Sequence, residues 1–319
     1  MPLIDMPLEK LREYQGRNPK PADFDTYWEN ALSEMKSVDA RIELNPAEFV
    51  TSAGKCFDLY FTGVGGARIH AKLVKPHSPG RKCPAIIQFH GYTGNAGEWS
   101  PLLKEAARGY IVAAMDCRGQ GGQSEDKGGV KGNTHHGHII RGLNDSPEKL
   151  LFRNIFLDAA QLAGIIMNMP EVDPQRVGAQ GGSQGGGLTL ACAALEPRIK
   201  RAAATYPFLC DYRRVWEMDL AKDAYAELKT FFRLFDPMHQ REEEIFTRLG
   251  YIDVQHLAPR IKAEVLMGVG LMDTVCPPST QFAAFNKISS RKHLAIFPDF
   301  GHEGLPGFGD MVYQFMEHL

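Results

Sequence analysis

The pentapeptide Gly181-Gly182-Ser183-Gln184-Gly185 lies between a short apolar strand, residues 176–180, and an Ala/Leu-rich helix, residues 188–195. A serine on so tight a strand-to-helix turn occupies strained backbone space, and small residues on both sides let its hydroxyl project clear of the sheet. The chain must therefore supply a sheet whose strands run into helices. The pattern around the turn agrees. Apolar strands are expected at 85–89, 110–115, 176–180, 201–206, 264–269 and 293–297, alternating with helices at 99–108, 151–169, 188–195, 280–288 and 307–318. Such alternation predicts an α/β fold with a mostly parallel central sheet flanked by helices on both faces.

Three segments decorate that frame. Residues 1–46 read as an N-terminal arm with a helix, because Phe24, Tyr27, Trp28, Leu32 and Met35 recur at helical spacing and Asp23 can cap the first turn. Short alternating runs broken at Gly63 and Gly65-Gly66 predict a β-hairpin over 55–74. Mixed charge with spaced aromatics over 211–250 predicts a helical insertion. The 319 residues are expected to form one elaborated domain, since α/β sheets often exceed 250 residues around one core.

With 36 Lys+Arg against 38 Asp+Glu, interspersed along the chain, no clustered positive charge is available to neutralise phosphates, so nucleic acid is not an expected partner. No apolar run approaches the ~20 residues that cross a bilayer, so no membrane partner is expected. The first ten residues carry two prolines and two acids where a signal peptide has a basic end and an apolar stretch. The six cysteines show neither a C-x-x-C pair nor the density of a disulfide scaffold, and read as free thiols. A cytoplasmic location is expected.

Serine is a weak nucleophile at neutral pH and needs an imidazole to take its proton. His302 follows the last predicted strand and precedes the last helix, a place none of the other ten histidines shares. The imidazole needs an acid to hold its tautomer. Asp273, just past strand 264–269, supplies one, and the order Ser183, Asp273, His302 is that of the α/β-hydrolase fold. Asp299 is the competitor, but three residues from His302 it has little room to reach across the ring. Asp116 and Asp253 read as loop structure and a helix cap.

Acyl transfer also needs donors for the oxyanion. The main-chain N–H of Gln184 is one candidate, and that of Tyr92, in the turn His90-Gly91-Tyr92 after the first parallel strand, is the other. Tyr206, Pro207 and Phe208 after the next strand are expected to crowd the acyl site, so Tyr206 and Pro207 are candidate substrate contacts. His135-His136-Gly137-His138 invites a metal reading, but no carboxylate or cysteine stands at ligand spacing and no metal is expected. No G-x-G-x-x-G follows a strand with an acid ~20 residues on, so a dinucleotide is not expected either. The residues leave three readings open: an esterase, another hydrolase of this fold such as a peptidase or general carboxylesterase, and a catalytically silent binding protein.

Gly181-Gly182-Ser183-Gln184-Gly185-Gly186-Gly187, with Arg118-Gly119-Gln120 upstream and His302-Glu303 downstream, resembles the signature set of carbohydrate esterase family seven, the acetyl xylan esterases and cephalosporin C deacetylases. The likeness extends through Phe231-Phe232-Arg233 and Leu271-Met272-Asp273 with Pro277-Pro278. It implies deacetylation of short sugar esters without a cofactor, catalytic roles for Ser183, Asp273 and His302, oxyanion donors at Tyr92 and Gln184, and commonly a hexamer. One departure is visible: Leu150-Leu151-Phe152 stands before Arg153 where such proteins often carry tyrosines. The aromatic arm, the glycine-rich loop over 119–146 and the edge of the hairpin are the segments expected to support a homo-oligomer.

Overall fold

A computed structural model describes residues 4–77, 82–131 and 137–319. Two arm helices, α1 (Leu8–Glu13) and α2 (Phe24–Ser37), precede β1 (Glu43–Pro46), the hairpin strands β2 (Lys55–Thr62) and β3 (Arg68–Lys75), then β4 (Cys83–Phe89), α3 (Trp99–Ala107) and β5 (Ile111–Met115). The chain continues through α4 (Leu151–Met167), β6 (Val172–Gly182), α5 (Gln184–Leu195) and β7 (Arg201–Thr205). Four helices follow, α6 (Tyr212–Glu217), α7 (Ala226–Phe235), α8 (Glu242–Leu249) and α9 (Val254–Leu257), before β8 (Glu264–Gly270), α10 (Pro278–Lys287), β9 (Lys292–Phe297) and α11 (Phe308–Met316).

The strands form a nine-stranded sheet in the order β1-β2-β3-β5-β4-β6-β7-β8-β9. Pairs from β1 to β3, and β3 with β5, are antiparallel. Every pair from β5 to β9 is parallel. This is the α/β-hydrolase architecture. All five residues of β5 are buried and α5 is buried throughout, as a parallel strand and helix at the centre of a layered fold require.

The topology also places the site. From β4 the chain crosses by α3 to β5 on one side, then by α4 back to β6 on the other, so β4 and β6 are neighbours at a topological switch point. Ligands of open α/β sheets bind outside the carboxyl ends of strands at such a point. Phe89 pairs in register with Gly181, so the turn after β4 and the turn after β6 emerge side by side.

Several expectations are corrected. The strand expected over 176–180 is longer, because pairing with β4 already begins at Val172 opposite Cys83 and passes an irregularity in register. The helix expected from residue 188 starts at Gln184: its first turn is glycine-rich, which conceals it, yet a Cβ at Gly185 would lie 2.1 Å from the Phe89 carbonyl oxygen. Asp23 occupies the N-cap of α2 without a capping bond, and its carboxylate instead accepts the Tyr251 hydroxyl at 2.5 Å. The arm aromatics are internal. Phe24 and Trp28 are fully buried, Trp28 stacks on Phe156, and its indole N–H donates to the Tyr251 carbonyl at 3.0 Å. They are therefore not available to a partner. Nor is the hairpin the sheet edge, since β1, unforeseen from the sequence, pairs outside β2.

The insertion is helical as expected. Its interior is aromatic, with Trp216 4.7 Å from Phe232 and Phe232 5.8 Å from Phe246 between ring centroids. All six cysteines are buried.

Candidate active site

Ser183 follows β6 and precedes the first residue of α5 with φ 57° and ψ −120°, in the left-handed half of backbone space that L residues avoid. Its own main chain is tied down on both sides. The Ser183 N–H donates to the Thr205 carbonyl at 3.0 Å, and its carbonyl accepts from Gly187 N–H at 3.1 Å and Phe208 N–H at 2.9 Å. The strain is thus held by the neighbouring strand β7 and the turn that follows it. Gln184 is the first residue of α5, so its N–H has no intrahelical carbonyl to reach and belongs to the positive end of the helix.

The Ser183 hydroxyl lies 2.9 Å from His302 Nε2, and His302 Nδ1 lies 2.8 Å from Asp273 Oδ2. With the ring proton on Nδ1, the imidazole donates to Asp273 and accepts from the serine. Asp273 is fully buried just past β8, and its other oxygen accepts from the Val275 and Cys276 N–H groups, each at 2.8 Å. The Gln281 amide adds a longer donor at 3.3 Å. A carboxylate so satisfied is fixed in direction and can orient the ring and stabilise its charged form. Asp299 is exposed and takes no part in this chain of contacts. The buried Cys276 thiol also reaches the Ser183 hydroxyl, and burial pushes the thiol well above its usual range. Asp273, Cys276 and His302 offer atoms within 4.8 Å of one another, but two of them are relay members already bonded to each other.

The turn after β4 is braced by His90. Its Nε2 accepts from the Cys117 N–H at 3.0 Å while Nδ1 donates to the Gly91 carbonyl at 2.7 Å, and burial holds the imidazole below its ordinary range. Tyr92, in this turn, packs its ring 5.4 Å from Phe208 and its hydroxyl bonds to Glu227 of α7. Tyr206, with φ 32°, sets its ring 4.5 Å from the His302 imidazole. Pro207 is buried, with its Cα 3.1 Å from the position a Cβ on Gly186 would take, so it backs the start of α5.

The structure brings Ser183, His302 and Asp273 together, with Gln120 and Arg118 of the upstream motif and Glu227 in support nearby. Gln120 reaches the Gln184 side chain, and Arg118 grips buried Asp158 through two contacts of 2.6 Å while donating to the Val64 carbonyl. Glu227 carries no motif, and nothing in the sequence singles it out. Asp116 holds loop structure as expected, accepting from His70, Ala96 and Gln123. Asp253 caps α9 through the Gln255 N–H. Of the histidine cluster, His135 and His136 lie outside the described residues, and the His138 N–H donates to the Tyr92 hydroxyl at 3.1 Å.

A family profile described as acetyl xylan esterase (AXE1) matches residues 1–319. Acetyl esterase Axe7A of Xylanibacter ruminicola is 27% identical over 297 residues, which is 91% of this chain; the chain spans 64% of that relative's length. The crystal structure of acetyl xylan esterase 1 from Thermoanaerobacterium sp. JW/SL YS485 superposes with a TM-score of 0.97 at 63% identity, covering 98% of this chain and 99% of the other. The acetyl xylan esterase from Paenibacillus sp. R4 follows at a TM-score of 0.93 and 36% identity, with the same coverage.

Proposed function

Because the chain belongs to the acetyl xylan esterase family, we propose that it is a serine esterase removing acetyl groups from short acetylated sugars such as xylo-oligosaccharides, and from related small esters such as cephalosporin C. The observation that carries this reading is the continuous relay from Ser183 through His302 to buried Asp273. Ser183 Oγ attacks the acetyl carbonyl carbon as His302 Nε2 takes its proton. The negative charge formed on the carbonyl oxygen meets the main-chain N–H groups of Tyr92 and Gln184. The bond to the sugar oxygen then breaks, and His302 returns its proton to the leaving hydroxyl. Water attacks the acetyl-serine, gives a proton to His302, and the collapse releases acetate and restores the serine. The protein's own groups complete this cycle without a cofactor.

Tyr206 beside His302 and the Tyr92–Phe208 contact support a confined acyl site. Acetyl esters are expected to outpace longer ones steeply, since a methylene that does not fit costs about 1–3 kcal/mol, or roughly 10- to 200-fold. Measuring kcat/KM on p-nitrophenyl acetate, butyrate and octanoate, with peptide anilides alongside, tests this. Equal values for acetate and octanoate, or faster cleavage of the anilides, would reject it.

One α/β-hydrolase domain over residues 1–319 belongs to the same reading, supported by an apolar core that extends from Leu11 in the arm to Ile288 after α10. No helix among the described residues is long and apolar enough to cross a membrane. A cytoplasmic location is supported by the buried thiols of Cys56, Cys117, Cys192, Cys210 and Cys276. Self-association into a closed hexamer is supported by the short outer strand β1 with Ile42, Phe49 and Val50 exposed around it, Val50 at 90%.

A further inference from the structure

Glu227 stands on α7 in the insertion, far in sequence from either turn that forms the site, yet it is 4% exposed and touches both Tyr92 in the turn after β4 and the 138–140 segment of the glycine-rich loop. One carboxylate oxygen takes the Tyr92 hydroxyl. The other accepts the Ile140 N–H at 3.0 Å. Tyr92 in turn accepts from the His138 N–H, so the phenol, the carboxylate and the 138–140 backbone close a ring of hydrogen bonds. The chain is shaped to admit the carboxylate: Gly137 has φ 101°, and a Cβ there would fall 2.3 Å from Glu227 Oε2. The Tyr92 hydroxyl and the Ile140 N–H converge on a buried carboxyl that the serine relay does not use.

We propose that Glu227 is a positioning residue of the oxyanion hole, holding Tyr92 so that its main-chain N–H keeps its direction toward the developing oxyanion. The assignment rests on the esterase reading, in which Tyr92 supplies one of the two donors. Tyr92 sits in the switch-point turn, with its ring in T-shaped contact with Phe208 and His138 and its hydroxyl held by Glu227. Phe208 N–H also bonds to the Ser183 carbonyl, so the ring leans on the same turn that holds the nucleophile. Without Glu227 the hydroxyl end keeps only the His138 N–H, and the peptide carrying the Tyr92 N–H gains freedom that costs most when charge develops on the substrate oxygen. The insertion thereby takes part in the chemistry without touching substrate.

The test compares parent, Glu227→Ala, Glu227→Gln and Tyr92→Phe, each corrected for active serine by fluorophosphonate titration. Readouts are kcat and KM on p-nitrophenyl acetate and Ki for methylboronic acid, which forms a tetrahedral adduct on the serine. In Glu227→Ala, kcat is expected to fall roughly 10- to 100-fold with KM within about threefold, and Ki to rise by the same factor as kcat falls. Glu227→Gln, whose amide can still bond the phenol, is expected to recover most of the loss. Tyr92→Phe reads the same contact if Glu227→Ala does not fold, and the double variant is expected to be no worse than the poorer single one. Unchanged kcat per titrated serine in Glu227→Ala or in Tyr92→Phe, or an effect confined to KM, would overturn the assignment. A parent protein with no titratable serine would instead defeat the esterase reading itself, and no variant is needed to see that.

Discussion

The side chains of Gln120 and Gln184 exchange two amide hydrogen bonds, of 2.8 and 3.0 Å, and so join the loop after β5 to the first residue of α5. Gln184 is fully buried, and loss of Gln120 removes the bond to its amide oxygen and leaves its Nε2 with longer contacts of 3.4 Å to the His90 and Gly91 carbonyls. Its main chain is also a proposed oxyanion donor. Gln120→Ala is therefore expected to destabilise the fold by about 1–3 kcal/mol and to lower kcat with little change in KM. Urea unfolding and steady-state kinetics check both, and unchanged stability would show that the pair is not needed.

Asp273 and Asp299 separate cleanly. Asp273→Asn keeps the size but turns the hydrogen bond that selects the His302 tautomer, and a fall of roughly 10⁴ in kcat is expected. Asp299→Asn is expected to stay within about threefold of the parent, because that side chain is exposed and outside the relay. The reverse outcome, measured on p-nitrophenyl acetate, would transfer the acid role to Asp299.

Burial pushes the Glu227 carboxyl from its ordinary 4.5 up to about 7, opposed by the Tyr92 hydroxyl and the Ile140, His138 and Ile139 amides. Of its neighbours, burial raises the Tyr92 and Tyr212 hydroxyls and lowers the His138 imidazole, a group that the Glu227→Gln variant shares with the parent. Between pH 4.5 and about 7 the folded chain keeps a proton that the unfolded chain has released, so stability falls as pH rises through that window. The loss integrates to about 3 kcal/mol. Glu227→Gln does not titrate. The stability of the parent relative to this variant, from urea unfolding at pH 4.5 and 8, is expected to drop by that order, and a difference independent of pH would count against it.

The frame was legible because periodicity and turn chemistry agree locally: apolar strands such as 111–115, the Ser183 turn and the chain order Ser183, Asp273, His302 need no long-range knowledge. What was missed is set by distant contacts. The first turn of α5 is glycine-rich and looks like loop until Phe89 is seen against it. The arm aromatics looked available to a partner because nothing in the arm names Phe156 or Tyr251 as their neighbours. Glu227, 135 residues from Tyr92, has an ordinary place on a charged helix, and only the fold reveals that it is buried beside the site.

Turnover of p-nitrophenyl acetate by folded Ser183→Ala protein tests the nucleophile most directly. Circular dichroism and the urea midpoint should match the parent, while kcat falls roughly 10⁴- to 10⁶-fold, with Ser183→Ala/His302→Ala little worse because the relay acts as a unit. Near-parent turnover by the folded Ser183→Ala variant would contradict the account.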